Sequence, residues 1–220
     1  MNAAVQQKTK GERTQSAILD AAEEIFAKRG FAATRMADIA EAVGIQRASL
    51  VYHFKGKEEL YSAVLTQVFG DLSEQVRVAY ESGGPLLRRI EACVNAWIDF
   101  AVRRPTLARL VLREITDADP EPSPEVRAVV APIYELMFRA RSEGEKLIAR
   151  DVDFLDVMQF ASFVFGSTVF FLIGVPVVVP AGMKLKIDKA HIERHRRMVL
   201  EMTRWFLTQG GLPDAPRLVD

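Results

Sequence analysis

Residues 34–57 read TRMADIAEAVGIQRASLVYHFKGK, and this stretch decides the fold. Two short helical patterns flank a glycine. In the first, Ile39, Ala40 and Val43 share a face, Thr34 is a suitable N-cap, and Gly44 closes the pattern. The second covers residues 46–53 and turns Leu50 inward. Two short helices joined by a tight turn make a helix-turn-helix. The crossing needs a small residue, which Ala40 supplies, and a sharp bend, for which Gly44 accepts a positive φ. Ile39, Val43, Ile45 and Leu50 then fill the wedge against the preceding helix, and the second helix can enter a major groove with its other face outward.

That outward face carries Gln46, Arg47, Ala48, Ser49, Tyr52 and His53. Arg pairs bidentately with guanine and Gln with adenine, while Ala and Ser let a helix sit deep against a thymine methyl. Tyr52, His53, Lys55 and Lys57 suit phosphates on either side. Residues 28–57 hold six basic side chains (Lys28, Arg29, Arg35, Arg47, Lys55, Lys57) against two acidic ones (Asp38, Glu41), in a chain whose formal net charge is zero. Nucleic-acid contact must therefore come from this local patch and not from a global field. Lys8, Lys10 and Arg13 are placed to add contacts from a polar N-terminal arm, MNAAVQQKTKGERTQ, which lacks the apolar core of a secretory signal.

Outward from the motif, helical spacing dominates. The preceding helix sets Ile18, Ala22, Ile25 and Phe26 on one stripe and is expected to end at Gly30. A long helix follows Lys57, with Glu58 and Glu59 in its first turn and Leu60, Val64, Val68 and Leu72 recurring every fourth residue until Gly83, Gly84 and Pro85. Further helices are expected over 85–103, 105–116, 124–149, 153–173 and 188–207, with a breaker-rich loop, DADPEPSP, at 117–124 and an irregular tail from 210. The β-like run at 175–179 is split by Pro176. The fold class is all-α, with an arm and three-helix reader over 1–56 and a helical body over 57–220. The mechanical boundary is expected inside the long helix after Lys57.

The 220 residues are 49% hydrophobic, enough for a packed core, and Cys93 is the one cysteine, so no intrachain disulfide forms and a reducing compartment suits the chain. No charge falls between Asp156 and Lys184, a span including FVFGSTVFFLIGVPVVVP. Its length meets the criterion for a membrane helix. Ser162, Gly166, Ser167 and Thr168, with Pro176 and Pro180, favour a helix buried in the protein or at an interface instead.

An enzyme needs a site, and none is legible. His191 and His195 share a helix face and could ligate a metal, but HIERHRR reads better as a solvated face; Cys93 sits on an apolar helix; no phosphate loop or HExxH run occurs. We expect no catalytic residues, no metal and no cofactor.

Residues 18–65, ILDAAEEIFAKRGFAATRMADIAEAVGIQRASLVYHFKGKEELYSAVL, resemble the N-terminal domain of the TetR family of repressors. The likeness covers about a fifth of the chain and rests on AAEEIFAKRGF, Thr34, DIAEAVGI and YHFKGKEEL. It implies that Gln46, Arg47, Ala48 and Ser49 read bases and that Thr34, His53 and Lys57 anchor backbone phosphates. Val51 stands where the family commonly carries a phosphate-binding Tyr, and Gly56 where Ser is usual. The resemblance also implies a cytoplasmic, ligand-responsive repressor, with a double-stranded operator and a small-molecule effector as partners. Its C-terminal helical domain would bind that ligand and form a homodimer. Trp97, Phe100, Tyr134, Phe138, Met158 and Phe165 are the expected pocket residues, in a cavity with few polar handles. The last two long helices are too apolar over too wide an arc for solvent, so they are the expected dimer seam, with no membrane contact.

Overall fold

Thr9 starts the first helix. In the computed structural model its hydroxyl accepts the Glu12 N–H at 3.2 Å, while the Glu12 carboxylate accepts the Thr9 N–H at 2.7 Å, a reciprocal capping box. The structure describes residues 9–116, 124–144, 154–180, 183 and 185–209. The helices are α1 (Lys10–Ala33), α2 (Met36–Val43), α3 (Arg47–His53), α4 (Lys57–Tyr80), α5 (Leu86–Arg103), α6 (Pro105–Thr116) and α7 (Pro124–Gly144). Then come α8 (Phe154–Val169), a π turn (Phe170–Gly174), α9 (Val175–Val178) and α10 (Lys189–Gln209). No strand occurs among the described residues, so the chain is all-α. The expected loop at 117–123 and the tail from 210 lie outside the described residues, as do 145–149 of the helix expected to end there.

The chain divides into two units. One is Met1–Gly70 with Arg109–Val126; the other is Asp71–Ala108 with Arg127–Asp220. The division falls within α4, and both α4 and α6 contribute residues to each unit.

In the first unit, Ile18, Ala22 and Phe26 repeat every fourth residue along α1 and are fully buried, with Ile39 of α2, Leu50 of α3 and Leu60 and Val64 of α4. Truncating one of the Ile, Leu or Phe side chains among these to Ala costs about 2–5 kcal/mol. α1 does not stop at Gly30. The backbone leaves helical geometry there (φ 80°, ψ 167°) and resumes for a final turn to Ala33. Thr34 does not cap α2, which begins from Arg35 without a side-chain cap. Its hydroxyl donates instead to the Gly30 carbonyl at 2.7 Å, closing α1. α2 ends as its sequence requires: Gly44 is left-handed (φ 73°, ψ 32°), its N–H reaches the Glu41 carbonyl, and the Ile45 N–H reaches Ala40.

In the second unit, α10 packs on α5 and α8. The Trp97 indole N–H donates to the Val164 carbonyl at 3.3 Å, and Arg196 bridges from α10 to Asn95 and Asp99 of α5 at 2.9 and 2.6 Å. The apolar helix is longer than its sequence suggests. Pro176 falls in the first turn of α9, where a missing N–H is tolerated, and the wide turn before it lets the Val175 N–H reach back to Phe170. The β-like run is thus helical to Val178.

Candidate functional site

α3 is short because Gln46 and Phe54, both in extended backbone, bracket it. Leu50 anchors it to the core with no exposed surface, which turns the opposite side to solvent. Gln46, Arg47 and Ala48 are exposed, and Ser49 is half-buried at the edge of the same surface. Tyr52 is 85% exposed and Val51 42%. His53 is half-buried, with its ring edge-on to Tyr52 at 5.4 Å. Three of the four expected base readers, Gln46, Arg47 and Ala48, are therefore accessible at the start of α3, and Ser49 is partly so.

The expected phosphate anchors behave differently. Thr34 is 1% exposed and its hydroxyl is committed to Gly30, so that side chain shapes the corner between α1 and α2. The Lys57 ammonium donates to the Phe31 carbonyl at 2.9 Å and to Ala32 at 3.4 Å, and lies 4.3 Å from the centre of the Phe31 ring. Arg113 of α6 donates to the Ala27 and Lys28 carbonyls at 3.5 and 3.3 Å. Two cations thus hold the negative end of the α1 dipole and its orphan carbonyls. Arg29 pairs with Asp38 at 2.7 Å, tying α1 to α2.

The second unit contains a cavity of about 140 Å³ with an almost wholly apolar wall. α5 contributes Ile90, Cys93, Val94 and Trp97; α7 contributes Ile133, Leu136, Met137, Ala140 and Arg141. α8 adds Val157, Phe160, Ala161, Val164 and Phe165, with Val76 and Tyr80 from α4 and Phe206 and Leu207 from α10. Trp97 and Phe165 face each other at 4.3 Å, so the structure brings these two expected pocket residues together on the wall. The other four are elsewhere. Phe100 is buried in packing away from the wall, Tyr134 and Phe138 are 40% and 45% exposed, and Met158 sits one position off the lining stripe of α8. Burial pushes the Cys93 thiol up to about 12, against a smaller opposing pull from Arg89, so it stays protonated. The two histidines part company: His191 pairs with Asp188 at 2.7 Å, while His195 is buried against Thr168 at 3.2 Å and stacks on Phe171.

Residues 18–64 match the family model of bacterial regulatory proteins, tetR family. The chain is 30% identical over 148 residues to the HTH-type transcriptional activator FasR of Mycolicibacterium smegmatis, across 62% of this chain and 68% of that protein. The chain belongs to the TetR family. It is a helix-turn-helix regulator of transcription. The HTH-type transcriptional regulator RutR of Escherichia coli is 32% identical over 119 residues, 51% of this chain and 56% of RutR, so that match spans little more than half of the relative. The transcriptional regulator FadR from Bacillus subtilis, solved in complex with stearoyl-CoA, shares the fold with a TM-score of 0.66 at 16% identity over 86% of this chain and 96% of that one. Within this TetR-family chain, the α7 side of the cavity is what reading the sequence missed. Its signal was the apolar stripe at 133, 136, 137 and 140, one helical step from the larger aromatics.

Proposed function

We propose that this TetR-family regulator is a homodimeric cytoplasmic repressor that leaves a pseudo-palindromic operator when an apolar small molecule fills the cavity. The observation that carries the reading is the presence, in one chain, of an exposed reading helix and an apolar cavity of about 140 Å³. Gln46, Arg47, Ala48 and Ser49 read base edges, and Tyr52, His53 and Lys57 meet phosphates. Thr34 contributes by fixing the corner that presents them. A dimer sets two such helices about 34 Å apart, one helical turn of DNA. Release requires the ligand to favour a different spacing, because a molecule with equal affinity for both states shifts nothing. α4 and α6, which belong to both units, are the elements through which that preference is transmitted. Cys93, at the cavity wall, is held as the thiol and so serves there as an apolar packing side chain.

The experiment is a polarisation titration of the full chain against a labelled genomic fragment flanking its own coding region. We expect saturable binding that Arg47→Ala abolishes while the circular-dichroism spectrum is unchanged. Binding that Arg47→Ala leaves intact would remove α3 as the reader.

A further inference from the structure

We propose that the effector is a compact neutral hydrocarbon built on one aromatic ring, held in the cavity without a hydrogen bond or an ion pair. This rests on the reading of the cavity as the effector site. Among the described residues, four on the wall have polar side chains: Tyr80, Cys93, Trp97 and Arg141. All four are engaged elsewhere. The Trp97 indole N–H donates to the Val164 carbonyl at 3.3 Å. The Cys93 thiol donates to the Val76 carbonyl at 3.5 Å, and burial keeps its proton in place. Tyr80 and Arg141 have partners of their own in the chain. Every wall residue lies in a helix, where main-chain groups bond largely along the axis. A polar group on a ligand would exchange water for side chains already committed, a loss of about tenfold or more in affinity.

Volume and lining select the body of the ligand. The cavity measures about 140 Å³. Apolar cavities of about 150 Å³ with aliphatic and aromatic walls exclude water and hold one benzene. One ring with a small alkyl group is therefore the matching size. The wall supplies rings of its own: Tyr80 from α4, Trp97 from α5, Phe160 and Phe165 from α8 and Phe206 from α10. Two pairs are already in ring contact, Trp97 with Phe165 at 4.3 Å and Phe160 stacked on Phe206 at 4.6 Å. An aromatic guest extends these contacts, and each ring pair is worth about two- to tenfold in affinity beyond the area it buries. A rigid ring also has no rotamers to lose on entry.

The probes are toluene, phenol and benzoate, titrated into the full chain at neutral pH by calorimetry. Phenol replaces the methyl of toluene with a hydroxyl of similar size, and benzoate offers the Arg141 guanidinium a carboxylate. We expect toluene to bind saturably, with phenol about tenfold or more weaker and benzoate weaker again. Ala161→Leu on α8 and Ala140→Leu on α7 each push carbon atoms into the space from the wall. Each should weaken toluene binding about tenfold or more while the circular-dichroism spectrum is retained, and the three probes on the native chain decide the matter if neither variant folds. Phenol or benzoate as tight as toluene, no saturable binding of toluene, or toluene affinity unchanged in both folded variants overturns the proposal. In those cases the operator titration still judges the regulator reading by itself. Saturating toluene should also lower operator affinity. Toluene that fills the cavity and leaves operator affinity unchanged overturns its class as effector, and with it the release mechanism, while DNA binding stands.

Discussion

Gly30 shows how much one position carries. Its φ of 80° suits glycine, and a Cβ built there would meet the Arg113 guanidinium at 2.6 Å. Gly30→Ala must therefore strain the backbone and displace a cation from the end of α1. We expect a loss of about 1–3 kcal/mol, read as a lower melting temperature in calorimetry, with Gly44→Ala as a comparison where strain acts without a clash. Lys57 has two possible duties, and salt separates them. If its ammonium swings from the Phe31 carbonyl to a phosphate on binding, Lys57→Ala lowers the salt slope of operator affinity by about one per protomer. If it only braces α1, the slope stays and thermal stability falls. Val51 is the simplest gain. It is exposed on α3, so Val51→Tyr should raise operator affinity by about tenfold through one hydroxyl-to-phosphate bond. The salt slope should not move, because no charge is added. An unchanged affinity would mean that position 51 does not face the backbone.

Elements show where sequence reading succeeds and where it stops. The helix-turn-helix was legible because its constraints are local: Gly44 must be left-handed, Leu50 must point inward, and Gln46, Arg47, Ala48, Val51 and Tyr52 are left exposed. The length of the apolar helix was not legible, because a proline normally ends a helix and the π turn that accommodates Pro176 has no sequence signature. The cavity was half legible. Trp97 and Phe165, expected there from their size, do line it; Tyr134 and Phe138, expected on the same ground, are 40% and 45% exposed and absent from the wall. On α7 the deciding variable is the helical face, and Ile133, Leu136 and Met137 hold it, about 100° from Tyr134. His195 joins α10 to α8 in a way only the fold reveals. Burial, aided by the Arg196 charge, lowers its affinity for a proton below the usual 6.5. The unfolded chain then binds that proton first, so the His195 contribution is intact above pH 6.5 and declines as pH falls below it. Denaturant midpoints measured on either side of that pH should show the decline, and His195→Gln, which cannot charge, should reduce it.

At the scale of the whole molecule, the question is what covers the apolar surface of the second unit. The stretch Leu155–Val178 is long and apolar enough to cross a membrane, yet much of it is uncovered within one chain: Phe170, Val177 and Val178 are 57%, 78% and 63% exposed. On α10, Met198, Met202 and Trp205 repeat at four and three residues and form a second exposed stripe. In the proposed homodimer a second copy of the chain would cover both at once, whereas a bilayer would have to accept α8 beside an α10 that begins KAHIERHRR. Trp205→Glu places a charge at the end of the stripe without touching the cavity wall, from which Trp205 is absent. We expect that variant to sediment as a monomer at micromolar concentration where the native chain is a dimer, and to lose most of its operator affinity while its circular-dichroism spectrum is retained. A variant that stays dimeric would move the seam away from α10, and a native chain that partitions into detergent micelles would favour the bilayer.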